Sequence, residues 1–189
     1  MGKTCRISGG RGLARVAVAT MLMLASWAMC SLGATATATA ATDSPQASAS
    51  QLGVYRIVNV ASHSSLRAYE AGSPIFVSST RENPGPFELW EITRVGEGYT
   101  IKNVGLSHTR GSDAYASVSR SEEGEPVITD SEPTTWAAEQ AGDGTYVIKA
   151  PHEDLVWNVE PPVVPRGEVA LRGADGSDTQ RWRFEPVNE

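Results

Sequence analysis

The sequence predicts an all-β fold built from three like units of about 45 residues, on three observations. Trp90, Trp136 and Trp182 recur at intervals of 46 residues. The segments "YRIVNV", "YTIKNV" and "YVIKAP" begin at Tyr55, Tyr99 and Tyr146, which lie 35, 37 and 36 residues ahead of the successive tryptophans. Tyr69 and Tyr115 repeat the 46-residue interval, with Trp157 near the third place. A fixed period of this length marks a unit that cannot bury its apolar face alone and closes against its copies.

Within each copy the pattern is that of strands. "VYRIVNV", "PIFVS", "PVITD" and "EVALRG" alternate with period two, the spacing of a half-buried strand. Gly-containing turns separate them in "AGSP", "GEGY", "GEP", "AGDGTY" and "GADGSD". No sustained 3.6-residue apolar stripe appears after residue 42. About four short strands per unit, twelve in all, predict a β-trefoil, with six strands closing a barrel and three hairpins capping one end. A propeller is disfavoured, because each blade needs four strands and only three units exist. In the trefoil Ile57, Ile101 and Ile148 point into the barrel, and Trp90, Trp136 and Trp182 pack on the fourth strand of their units. In the last of these strands, "TQRWRFEPV", Phe184 shares the face of Trp182 while Arg181 and Arg183 turn to solvent.

Residues 1–42 differ from the rest in composition. They hold Lys3, Arg6, Arg11 and Arg15 and no acid, then an apolar run from Val16 to Ala34 and small residues with A-x-A options at Ala34, Ala36, Ala38 and Ala40. This is the pattern of a secretory signal peptide. Residues 43–52 read as a polar, flexible leader, and residues 53–189 as the folded domain. Both cysteines, Cys5 and Cys30, fall within 1–42, so the predicted secreted domain relies on its apolar core instead of disulfides.

Without residues 1–42 the chain has 12 basic and 22 acidic residues, a net charge near −10. A phosphate-tracking nucleic-acid surface is not expected from that balance, nor a membrane partner once the leader segment is gone. A monomer is expected. Enzyme signatures such as G-x-S-x-G, G-x-x-x-x-G-K-[ST] and H-E-x-x-H are missing from the sequence, so no catalytic residue and no cofactor is assigned. The acidic run "SEEGEP" (Ser121–Pro126) reads as a solvated turn. His63, His108 and His152 each follow the first strand of a unit, in peripheral loops too far apart to share one metal ion.

Function then falls to loops presented by a rigid scaffold. "TRVGEGY" joins units one and two and offers Arg94, Val95, Gly96, Glu97 and Gly98; "EQAGDGTY" is its counterpart between units two and three. "VEPPVVPRGEV" (Val159–Val169) offers Pro165, Arg166 and Gly167 on a proline-stiffened path. Such a loop has little ordering entropy left to lose on entering a protease cleft.

The series "GVYRIVNV", "GYTIKNV", "TYVIK", "LVWNVE", "VALRG" and "QRWRFEPV" resembles the fungal β-trefoil serine-protease inhibitors of the cospin type, over about residues 53–187. The resemblance implies an inhibitor of a trypsin-like serine protease, with the loop Arg94–Gly98 as reactive site; secretion is expected from residues 1–42, a departure from family members that look cytoplasmic. The trypsin-directed members carry Asn in that loop, and this chain has none between Thr93 and Gly98. The alternative is a carbohydrate-binding trefoil of the ricin-B type, whose repeat signature Q-x-W matches Gln180 and Trp182 in unit three. Units one and two carry Glu88 and Thr134 in the Gln place. On that alternative Asp154, Trp157 and Asn158 would form the sugar site.

Overall fold

The computed structural model describes residues 50–79, 83–161 and 165–187. The predicted signal peptide, and the leader as far as residue 49, lie outside the described residues. Twelve strands run in chain order: β1 (Ser50–Asn59), β2 (Ser64–Arg67), β3 (Phe76–Ser79), β4 (Leu89–Val95), β5 (Gly98–Asn103), β6 (Tyr115–Ser117), β7 (Ile128–Asp130), β8 (Ala137–Gly142), β9 (Thr145–Lys149), β10 (Leu155–Val159), β11 (Arg166–Gly173) and β12 (Trp182–Pro186). Each predicted unit thus holds four strands. Ser50–Leu52, assigned to the leader on composition, belong to β1, where Ser50 and Gln51 pair with Arg94 and Thr93.

Six strands close a barrel. β1 pairs with β4, β4 with β5, β8 with β9, β9 with β12, and β12 returns to β1. Between β5 and β8 the ring is completed by Tyr99 and Trp136, whose backbone amides exchange hydrogen bonds of 2.8 Å. A closed ring leaves no unpaired edge to template aggregation.

The hairpins β2–β3, β6–β7 and β10–β11 form the cap. They are tied at the axis by a cycle: Ile75 N–H donates to Val127 C=O (2.8 Å), Val127 to Val169 (2.9 Å), and Val169 back to Ile75 (3.0 Å). All three residues are fully buried, so the cycle satisfies amides that no water reaches.

Register sets the barrel interior in layers. Ile92 lies opposite Ile101, Ala138 opposite Ile148, and Phe184 opposite Ile57; directly paired residues share one face. Ile57, Ile101 and Ile148 are buried, as the sequence predicts. Trp90, Trp136 and Trp182 are wholly buried at the cap end, and each indole N–H donates into its own hairpin: Trp90 to Leu66 C=O (3.1 Å), Trp136 to Ala116 (2.9 Å), Trp182 to Trp157 (3.4 Å). One tryptophan per unit therefore pins the cap to the barrel. Burying about 150–250 Å² of each ring contributes on the order of 4–6 kcal/mol before entropy is set against it.

One element was not expected. Val104–Arg110 form a helix, α1, between β5 and β6. Asn103 caps it, its Oδ1 accepting from Leu106 N–H at 2.8 Å, and Gly111 ends it at φ +66°. Two turns are too short to show an apolar stripe, but both caps carry the usual residue types.

Candidate functional site

The residue after each indole acceptor is equivalent in the three units, and its chemistry is not conserved among them. In unit one it is Arg67, buried with Glu88 at 2.9 Å. In unit two it is Ser117, whose hydroxyl meets that of Thr134 at 2.8 Å. In unit three it is Asn158, whose Oδ1 accepts from the Thr179 hydroxyl at 2.9 Å. The common scaffold therefore holds an ion pair, a hydroxyl pair and an amide–hydroxyl pair at one structural place. Gln180, in the Q-x-W position, is turned to fold maintenance: its amide donates to Gly173 C=O and accepts from Asp175 N–H, both at 2.9 Å.

Unit one places an aromatic ring on the surface above its pair. Tyr69 is 47 % exposed. Arg67 donates to its hydroxyl at 3.2 Å, and the rings of Phe87 (5.2 Å) and Phe76 (5.7 Å) brace it from below. Arg67 also donates to Ser79 C=O at 2.6 Å. Glu70, the residue after Tyr69, has an exposed side chain whose carboxylate accepts from the Ser73 hydroxyl at 3.3 Å. The guanidinium of Arg166 lies 3.7 Å over Phe76, a cation–π contact worth about 0.5–1 kcal/mol at such a site. Tyr69 is thus a ring in a fixed pose, with both polar and apolar groups around it. The sequence registers Tyr69 only as a marker of the repeat; its exposure depends on hairpin packing that spacing does not encode.

The predicted sites fare differently. Arg94, Val95 and Gly98 lie in the β4–β5 ladder, Arg94 opposite Tyr99 and Val95 opposite Gly98. Only Gly96 and Glu97 lie outside it, with Gly96 at φ +61°, the two-residue turn of a tight hairpin. Arg94 is exposed, and the segment that the resemblance marks as reactive site is the end of two paired strands joined by a two-residue turn. Arg166 is likewise held: it opens β11 opposite Ser78, stacks on Phe76 and lies 3.5 Å from Glu168. Pro165 is exposed and Gly167 buried; Pro162–Val164 lie outside the described residues.

The expected sugar trio does not assemble. Trp157 is fully buried, edge-on to Trp136 (5.0 Å) and Trp182 (6.0 Å), so its faces belong to the core and offer nothing to a sugar. Asp154 is wholly exposed near Lys149 at 3.7 Å. Asn158 is half-buried and committed to Thr179 and Glu160. Of the histidines, His63 and His152 occupy turns at positive φ and His108 lies in α1. Among the described residues no group of three or more His, Cys, Asp or Glu is placed to hold a metal ion.

Two charged networks complete the surface. Glu160 accepts from Arg172 at 2.8 and 3.0 Å and from Asn158 at 2.9 Å. The Arg172 hydrogen bond, aided by Asn158, holds its carboxyl below the ordinary value against the opposing effect of burial. Lys102 sits between Glu91 (3.0 Å) and Asp113 (3.6 Å). Burial alone would lower its pKa, but these two carboxylates outweigh burial and raise it.

Neither a protein-family model nor a curated protein matches the sequence. Solved structures do match. The ricin B-like lectin of Macrolepiota procera, in complex with lactose, is 16 % identical with a TM-score of 0.61, covering 71 % of this chain and 95 % of the lectin. The designed threefold-symmetric protein ThreeFoil is 22 % identical, TM-score 0.62, covering 71 % and 99 %. The Rhizoctonia solani agglutinin is 20 % identical, TM-score 0.60, covering 71 % and 95 %. The likeness supports a lectin-like fold and does not single out the inhibitor family. At these identities it establishes the architecture: the chain is a β-trefoil.

Proposed function

We propose that this protein is a secreted carbohydrate-binding β-trefoil, and that unit one carries its sugar site around Tyr69. The observation that carries the reading is the braced, exposed Tyr69 ring. A pyranose has an apolar C–H face that packs on such a ring, and hydroxyls that seek charged or hydroxyl partners. Glu70 accepts from sugar hydroxyls in this reading, Ser73 adds a second polar contact, and Arg67 positions the ring without touching the ligand. The lactose-bound Macrolepiota procera structure and the Rhizoctonia solani agglutinin support it as neighbours of the same fold.

The expected result is binding on a broad glycan array that falls about tenfold or more in Tyr69→Ala, the effect of losing one stacking contact. The variant's melting temperature should stay near that of the parent. Silence on the array together with inhibition in a panel of trypsin-like serine proteases would instead favour the inhibitor reading, with Arg94 and Arg166 as the residues to replace.

A further inference from the structure

The geometry points to a second binding site, at the barrel end opposite the hairpin cap, for a small, uncharged, largely apolar molecule of about two fused rings with a hydroxyl end. A cavity of about 300 Å³ opens there. Its floor is Trp136, Ile101 and Ile148, and its rim includes Tyr55, Tyr99 and Tyr146. These are the three tyrosines that open the three units, so the site lies on the axis of the fold. It is independent of the glycan reading, which concerns the hairpin face of unit one.

The cavity has a specific cause in the sequence. The inward position two residues after each repeat tryptophan holds Ile92 in unit one, Phe184 in unit three and only Ala138 in unit two. Closing the barrel with two large side chains and one methyl leaves the missing volume on the unit-two side. Phe184 is held edge-on by Tyr146 (5.3 Å) and Tyr55 (6.2 Å), so that wall cannot easily swing across to fill the gap.

The lining selects the ligand. No charged side chain contributes to it, so an ion entering would shed hydration without compensation. A sugar would set its hydroxyls against Ile92, Ile101, Ile148 and Phe184. An apolar ring system matches these walls, and an apolar cavity of about half this volume suffices to take up benzene. The rim is where a polar end fits. The Tyr55 hydroxyl is engaged with Leu52 C=O at 3.4 Å, whereas those of Tyr99 and Tyr146 make no hydrogen bond to another described residue.

The test uses 2-naphthol as probe and the whole folded chain, followed by calorimetry and by amide NMR shifts. Saturable binding is expected, with shifts at Tyr99, Ala138, Tyr146 and Ile148. Ala138→Leu fills the gap, and should weaken binding by about tenfold or more while the melting temperature holds or rises. Should that variant fail to fold, Ala138→Val makes the same test with a smaller expected loss of about threefold. Naphthalene should bind less tightly than 2-naphthol, and the preference should vanish in the Tyr99→Phe, Tyr146→Phe double variant. No saturable binding by the parent, shifts confined to Tyr69 and the hairpin face, or unchanged affinity in the folded Ala138 variant would each overturn the site. Equal affinity for the two probes would overturn the role given to the tyrosine hydroxyls.

Discussion

Replacing the buried tryptophans one at a time by Phe separates their packing from their hydrogen bonds. Trp90, Trp136 and Trp157 are all fully buried, so each change removes the same atoms and leaves a similar void, costing roughly 1–3 kcal/mol in each case. The indole N–H groups are not alike. Those of Trp90 and Trp136 donate to hairpin carbonyls at 3.1 and 2.9 Å, and deleting such a bond costs about 0.5–1.5 kcal/mol more. Trp157 Nε1 is buried with no partner among the described residues. Removing an unsatisfied donor recovers its desolvation penalty, about 1–3 kcal/mol. Trp157→Phe should therefore be the mildest of the three, by about 1.5–4.5 kcal/mol once the bond lost elsewhere and the penalty recovered here are added, read from urea midpoints at equal m-values in a single series. Trp182→Phe, with its long 3.4 Å bond, should fall between. By contrast Trp157→Ala removes the wedge between Trp136 and Trp182 and should cost about 3–5 kcal/mol, a large part of the stability of an ordinary domain. A Trp157→Phe variant as unstable as Trp136→Phe would refute this account of the unpartnered indole.

Three further outcomes follow from the same geometry. A Cβ at Gly98 would stand 2.6 Å from Thr135 Cγ2 and 2.7 Å from Trp136 C=O, so Gly98→Ala should destabilise by about 1–3 kcal/mol; a neutral change by calorimetry would refute the close approach of β5 to Trp136 that completes the ring. Breaking the buried Arg67–Glu88 pair by Arg67→Leu or Glu88→Leu alone should cost about 3–5 kcal/mol, whereas the double replacement should recover most of it; additive losses in the cycle would show that the two groups do not depend on each other. Glu160 has a depressed folded-state pKa, so its contribution is complete above its unfolded value and is lost as pH falls through the lower folded one. Glu160→Gln should accordingly lower the melting temperature at pH 7 and do so progressively less as the pH falls below the ordinary glutamate range, and a drop of the same size across the whole acid series would rule out the linkage.

The scaffold was legible because it is periodic. The 46-residue spacing of the tryptophans, with a leading tyrosine 35 to 37 residues ahead of each, places all three units, and period-two alternation places most strands. Where reading failed, the reason was local geometry. Trp157 looked like a stacking residue because Asp154 and Asn158 flank it, but its carbonyl and ring complete the tryptophan cluster of the core. Arg94–Gly98 looked like a loop because glycines punctuate it, yet Gly-Glu between two paired strands is the length of a tight turn. Helix α1 escaped notice because only its caps, Asn103 and Gly111, carry a signal. The gap at Ala138 was visible in "WEI", "WAA" and "WRF" once the repeats are aligned, but only register shows that this position points inward.

The units are equivalent in what they bury and unequal in what they leave for chemistry. Ile75, Val127 and Val169 repeat one hydrogen-bond cycle, and three indoles repeat one donor direction. These positions are constrained by all three units at once, since a change in any of them disturbs a shared axis. Arg67, Ser117 and Asn158 each bond to side chains and carbonyls of their own unit, so they can diverge without opening the barrel. That is why a repeat detected through its tryptophans does not identify a binding site. In unit one divergence has raised a braced tyrosine above a buried ion pair; in unit three it has produced the Asn158–Glu160–Arg172 network, and among the described residues of that unit no aromatic is exposed. A β-trefoil with three equivalent scaffolds thus presents different chemistry on each, and on the hairpin faces of the described residues the exposed large ring is that of Tyr69 in unit one.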